Sequence, residues 1–310
     1  MLKRVLDDMK FADFPWPRVP NKEPTPVWVG NGFRVGSEFS EILSYGESES
    51  AWSDELTAMH EAEASSSHPI DLASRALAVR SMQELANRLG QLVLDIGCSS
   101  GFLIHDLQTR LPTLSVFGAD YLVSVVVSAA RRNPGIPFVQ FDLRKCPLPD
   151  KCVNGVTALN VLEHIDDDFT ALSEIYRILT PGGIAHVEVP AGPSCFDLYD
   201  EVLMHFRRYR LTDLIAMAER IGFEVRSATH LGFLIYPAFR FVKSRNRARY
   251  SGLPLAEKQS VVKRHISTTG SSLFMRIALG AELNLGRALR FPCGIRAVVK
   301  LSKPKNRNER

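Results

Sequence analysis

The chain of 310 residues contains no run of eighteen uninterrupted apolar residues, which excludes an ordinary transmembrane helix. Cysteine is scarce. The five present (98, 146, 152, 195 and 293) are odd in number and form no CxxC pair, so neither a disulfide framework nor a zinc site is expected. The opening MLKRVLDDMK is interrupted by acids and is followed by no apolar signal core, which argues against secretion and points to a reducing cytoplasm. What the chain does have is ordinary globular material. It is 45% hydrophobic and 23% charged, enough to bury a sizeable core and to exclude wholesale disorder.

Charge is divided unevenly. The net +4 arises from a body of −10 over residues 1–239 and an end of +14 from Arg240 onward, where 17 Lys and Arg face three acids. A basic end on an acidic body suggests an anionic partner, either a phosphate-bearing substrate or a membrane surface. The last eight residues, KPKNRNER, read as a solvated tail.

Three regions follow from composition up to residue 190. Residues 1–60 are read as an N-terminal extension, a lid or a packing arm, whose residues 1–50 are rich in Pro, Gly and Ser and read as loops and short strands, while 51–90 read as helix. The three Trp (16, 28 and 52) lie at or near it, so it should pack onto something. Apolar positions in LASRALAVRSMQELANRL carry a helical period up to Gly90. From 91 to 190, the apolar runs QLVLDIG, SVFGAD, PFVQFD, GVTALN and GIAHVEVP alternate with helical stretches, with LTPGG read as a helix stop and turn before the last. That alternation predicts a parallel sheet with helices on both faces.

The most informative stretch is VLDIGCSSGFL. A strand enters a small-residue turn in which Gly97 and Gly101 permit a sharp bend and close ligand approach, and a helix follows at once. The glycines do not fit GxGxxG, and Asp95 at the mouth would repel a pyrophosphate; a carboxylate there suits an ammonium or sulfonium. Asp120 ends the second strand, where an acid accepts from ribose hydroxyls, and Asp142 ends the third, placed to accept from an adenine amino group. Asn160 and Val161 end the fourth, and all of these strand ends line one crevice.

These pieces (DIGCSSG, Asp120, the FD at 141–142, NVLEHIDD and LTPGG) come in the order and spacing of the class I S-adenosylmethionine-dependent methyltransferases, and the chain resembles their ubiquinone-pathway O-methyltransferase group over about residues 90–190. Ser99 stands where many members have glycine. The resemblance implies a Rossmann-like α/β fold over residues 61–303. Its seven-stranded sheet would have helices on both faces and an antiparallel last strand in FPCGIRAVVKLSK, preceded by a basic insertion at 232–290 and followed by a tail at 304–310. It implies S-adenosyl-L-methionine as cofactor, held by Asp95, Gly97, Cys98, Ser99, Gly101, Asp120, Tyr121, Asp142, Leu143, Asn160 and Val161. A looser similarity, in the DEV…HFRRY segment and the apolar, basic insertion, is to bacterial methyltransferases of glycan and lipid-linked sugar assembly.

A hydroxyl acceptor benefits from a base, and histidine titrates near working pH. His205 is ranked first and His164 second. His105 and His186 lie in helix and strand interiors and read as structural. Arg207, Arg208 and Tyr209 are candidate contacts to the acceptor, which is expected to be a small molecule, a glycan or a lipid-linked intermediate. Some members of the resembled group carry Glu-x-x-Glu-His for a divalent ion. Here Asn160 replaces the first carboxylate, leaving Glu163 and His164, too few ligands, so no metal is expected. The insertion could rest on an anionic membrane, making the protein cytoplasmic with a peripheral contact at the inner membrane face. RNA methylation is an alternative favoured only by the basic end. No NPPY-type tetrapeptide and no RNA-binding module supports it, so nucleic acid is not the expected partner. A non-catalytic cofactor-binding protein is the other alternative, opposed by the retained acids.

Overall fold

The computed structural model describes residues 10–46, 68–268 and 273–305. Its centre is an eight-stranded sheet. Strands β5 (Leu92–Ile96), β6 (Ser115–Asp120), β7 (Phe138–Gln140), β8 (Val153–Leu159) and β9 (Leu179–Pro190) run parallel. At the far edge β10 (Glu224–Leu231) and β11 (Arg296–Ser302) pair antiparallel, and β11 also pairs antiparallel with β9. The order β10-β11-β9-β8-β5-β6-β7 reverses direction at β5 and β8. That reversal opens a crevice at the carboxyl ends of the strands, where open α/β sheets bind ligands.

The expected antiparallel closing strand is present, but the sheet has one strand more than the seven expected. The extension supplies β4 (Leu43–Ser44), parallel to β7, after a separate sheet of β1 (Val27–Trp28), β2 (Phe33–Val35) and β3 (Glu38–Ser40). A two-residue strand has no periodicity to read. Trp16 and Trp28 are buried with Phe11, Phe14 and Phe33 against Phe117 of β6, while Trp52 lies outside the described residues.

Helix α1 (Pro69–Met82) starts with proline in its first turn and ends before the expected Gly90, because residues 85–87 tighten into a 3-10 turn. Helices α2 (Phe102–Arg110), α3 (Val123–Arg132), α4 (Asp168–Ile178) and α6 (Leu211–Ile221) cover the sheet, and short α5 (Leu198–Val202) precedes the HFRRY segment. The LTPGG segment lies inside β9 as a bulge. Between Leu179 and Ile184, the partner β8 advances only from Val153 to Gly155. The insertion is helical, with α7 (Tyr236–Tyr250), α8 (Leu255–Thr268) and α9 (Leu273–Leu285). Among the described residues no helix is long and apolar enough to cross a membrane.

Candidate functional site

The turn after β5 is built by backbone demands. Gly97, Ser99 and Gly101 all have left-handed φ (68°, 44° and 77°). A Cβ on Gly97 would stand 2.5 Å from Cγ2 of Val161, and one on Gly101 2.5 Å from Nδ2 of Asn133. Glycine is therefore dictated at both positions by conformation and by close approach. Gly101 begins α2 but borders neither cavity described below; Cys98 is buried, and burial raises its thiol well above the ordinary range.

Asp95 and Asp120 lie beneath this turn. Asp95 accepts from the Thr157 hydroxyl at 2.7 Å; burial pushes it up to about 7, with Thr157 opposing and Asp120 adding to the shift. Asp120 accepts from the backbone amides of Ser99 (3.1 Å) and Leu122 (3.2 Å), and burial raises it against those bonds. Asp142 differs. Burial is overcome by Arg144, whose guanidinium bonds both carboxylate oxygens and also reaches Asp166 at 2.6 Å, so Asp142 sits below the usual carboxylate range.

A cavity of about 1200 Å³ runs from this turn towards the insertion. One end is lined by Gly97, Ser99, Asp120, Tyr121, Asp142, Leu143, Asn160 and Val161. The other is lined by Glu163, His164, His205 and Arg208 with apolar residues of the insertion. A smaller cavity of about 110 Å³ adjoins it and contains Asp95, Cys98, Ser74 and Arg75. The two share Asp71, Gly97, Ser99, Leu159, Asn160 and Arg296.

At the far end, the HFRRY segment is held against the loop after β8 by the Phe206 amide, which donates to the Glu163 carbonyl at 2.8 Å. Nδ1 of His205 lies 2.8 Å from Oδ1 of Asp200. Burial alone would raise Asp200, but the His205 bond and the Lys243 and Arg208 charges hold it well below the carboxylate range. An ionised carboxylate only accepts, so His205 donates from Nδ1 and carries its lone pair on Nε2. Burial lowers the His205 pKa despite Asp200, which keeps the ring neutral at pH 7. The His164 ring packs edge-on against it at 4.6 Å.

Glu163 is fully buried, and neither carboxylate oxygen has a hydrogen-bond partner among the described residues; burial pushes it up to about 8. Glu163, His164 and His205 offer ligand atoms within 4.8 Å of one another. The sequence count of two metal ligands is thereby corrected to three, because the fold returns His205 to a neighbour 42 positions away. Three such groups could hold a divalent cation.

Two expected acceptor contacts are turned elsewhere. Arg207 donates to the Asp166 carbonyl at 2.6 Å and pairs with Asp168 at 2.8 Å, and the Tyr209 hydroxyl donates to Asp168 at 2.8 Å. Neither borders the large cavity, because alternation along the segment sends them to the α4 side. Arg208 does border it, with its guanidinium on Asp200 at 2.8 Å. Sequence reasoning missed Arg296, which lines both cavities and bonds Asp71 (2.8 Å), Ser74 (2.6 Å) and Glu188 (2.8 Å). Its signal was an arginine leading into the apolar run Ala297–Val299 of the closing strand.

Residues 94–187 match the methyltransferase domain family. A probable S-adenosylmethionine-dependent methyltransferase of Mycolicibacterium smegmatis is 34% identical over 149 residues, covering 46% of this chain and 56% of that protein. A ubiquinone/menaquinone biosynthesis C-methyltransferase of Desulfotalea psychrophila is 29% identical over 117 residues, 37% of this chain and 48% of its own. The chain thus spans about half the length of the curated relatives it matches. In structure it is similar to a Haemonchus contortus phosphoethanolamine N-methyltransferase, solved with phosphomonomethylethanolamine and S-adenosylhomocysteine. The TM-score is 0.53 at 16% identity, over 86% of this chain and 62% of that one. Residues 94–187 thus match a methyltransferase domain, and the sheet around them has the Rossmann-like fold of that solved structure.

Proposed function

We propose that the protein transfers the methyl group of S-adenosylmethionine to a hydroxyl of a small molecule, a sugar or a lipid-linked intermediate. The observation that carries the reading is continuity. One cavity joins an acid-lined turn at the strand ends to a neutral histidine oriented by a buried carboxylate.

The residues at the turn fit the donor. Gly97 lines both cavities with bare backbone, Asp95 offers charge to the donor's ammonium, and Asp120 offers acceptors to its ribose. When bound, the donor supplies a methyl on a sulfonium, already activated for in-line displacement. The chain's task is then alignment and proton removal. His205 takes the hydroxyl proton on Nε2, and Asp200 stabilises the imidazolium that forms. The donor would pass its methyl to that oxygen and leave as the neutral thioether, the proton remaining on His205.

Calorimetry with S-adenosylhomocysteine tests the donor half. Asp120→Ala should weaken binding at least tenfold, about 1.4 kcal/mol, and equal affinities would remove Asp120 from the site. For the acceptor half, His205→Ala should lower turnover by about 10²–10⁴ with donor affinity nearly unchanged. Near-normal turnover would remove His205 as base.

A second reading keeps the donor site and puts a divalent cation on Glu163, His164 and His205, where it would bind the acceptor oxygen. The unpartnered Glu163 carboxyl within that cluster favours it. Cobalt(II) titration separates the two. A visible absorption band lost in Glu163→Gln supports the cation, whereas no band, with activity that survives chelation, supports the base.

A further inference from the structure

Two helices of the insertion carry large apolar side chains on the outside. Leu273 (72% exposed), Phe274 (70%) and Ile277 (63%) share one face of α9, while Ala278, Leu279 and Glu282 on the opposite side are buried. On α7, Phe241 (69%) and Val242 (51%) are exposed, while Lys243 and Asn246 turn inward to Asp197 at 2.6 and 3.0 Å. Scattered exposed apolar side chains need no explanation, but a grouped set of this size does.

The exposed charge on these two helices has one sign. Along α7 there are Arg240, Arg245, Arg247 and Arg249, all exposed, and no acid; α9 adds Arg276. The single acid of α9, Glu282, is buried and accepts from the backbone amides of Gly232 (2.7 Å) and Leu234 (3.2 Å). Neither helix therefore presents a carboxylate to solvent. Arginines beside large apolar side chains are the composition of a helix lying in a lipid interface, with aliphatic groups below the headgroups and guanidinium groups among the phosphates.

The location gives this face a use. Val242 and Phe274 also line the large cavity, as do Phe239 and Met275 behind them, so the apolar surface continues into the acceptor end. We propose that α7 and α9 seat the protein on an anionic bilayer with this mouth at the lipid surface, where an acceptor bearing a hydrocarbon chain enters between Val242 and Phe274. The proposal rests on the acceptor-side reading above and names where that acceptor comes from. Apolar contact supplies the seat, and the arginines select anionic over neutral lipid.

The test is sedimentation of the full chain with vesicles of phosphatidylcholine alone, or of equal parts phosphatidylcholine and phosphatidylglycerol. Binding is expected on the anionic vesicles at low salt, at least tenfold weaker on neutral vesicles and at high salt. The double variant Leu273→Glu/Ile277→Glu and the single variant Phe241→Glu, all outside the cavity lining, should each lose binding at least tenfold. S-adenosylhomocysteine affinity should remain unchanged and report that the fold is intact. Absence of binding to anionic vesicles at low salt would overturn the proposal. So would undiminished binding by the variants, or a solution dimer that the same variants dissociate, which would assign the face to a second copy. Loss of S-adenosylhomocysteine binding by the wild type, with vesicle binding retained, would strike the donor reading and leave the surface standing.

Discussion

Three acids end neighbouring strands, and their surroundings separate them. Asp142 is held by Arg144 below the usual range, so its charge is fixed across physiological pH. Asp95 is buried with a single side-chain donor and is pushed up to about 7, so it exchanges its proton near neutral pH. A cationic donor binds the carboxylate and competes with that proton. Affinity for S-adenosylmethionine should therefore rise as pH climbs through 7, by about tenfold between pH 6 and pH 8. Asp95→Asn should bind more weakly and lose the dependence, and a flat wild-type profile in calorimetry would separate Asp95 from the ammonium. The positions of these acids were readable because each closes an apolar run. The approach of His205 to Glu163 was not, since it depends on how a connection beyond β9 folds back, which no local pattern encodes. The same holds for Arg207 and Tyr209, whose neighbours on α4 decide which way each side chain leaves the segment.

Among the elements, β9 shows how far a pattern reaches. Its apolar run predicts a buried strand and its Pro-Gly-Gly an interruption; both are present, but the interruption is a bulge within one strand rather than a turn before it. Gly182 has a left-handed φ of 79° there, and its amide donates to the Lys303 carbonyl at 2.8 Å, so β11 and the bulge hold each other. The helical period of α1 was likewise visible, while its end at Met82 was not, because that period continues through Gln83 and Leu85 where the chain tightens. His186 lies in β9 with Nδ1 2.8 Å from the Ser81 hydroxyl, and burial lowers it to about 3. A buried neutral histidine binds fewer protons than the same residue unfolded, so its contribution is intact above the unfolded pKa of about 6.5 and is lost as pH falls below it. From pH 7 to pH 5 that amounts to about 2 kcal/mol. Urea unfolding should show the fall in wild type and a decrease smaller by about that amount in His186→Asn. Parallel pH profiles would show that His186 is not the group titrating.

At the scale of the whole molecule, the question is whether the extension is an appendage or part of one cooperative unit. Its composition pointed to packing, and its aromatic residues reach the central sheet directly. Trp16 is 2% exposed, donates from Nε1 to the Phe11 carbonyl at 2.8 Å, and meets Phe33 and Phe117 edge-on at 5.0 and 5.6 Å. Phe117 belongs to β6, whose carboxyl end carries Asp120, so the extension and the donor end of the cavity share a packed layer. The strand β4 adds a second tie, with the Ser44 hydroxyl donating to Gln140 at 2.6 Å and the Tyr45 amide to the Gln140 carbonyl at 2.9 Å. Replacing Trp16 by alanine removes a large buried ring and leaves the Phe11 carbonyl without its donor. A loss of about 3–5 kcal/mol is expected for such a truncation. Because the ring contacts the sheet, that loss should move the unfolding of the entire domain. Urea midpoints read by tryptophan fluorescence and by far-ultraviolet circular dichroism should coincide in wild type and shift together in Trp16→Ala. An early fluorescence transition with an unchanged circular dichroism midpoint would mean instead that the extension opens by itself. In that case residues 10–46 would fold on the domain without supporting it, and S-adenosylhomocysteine binding would survive their release.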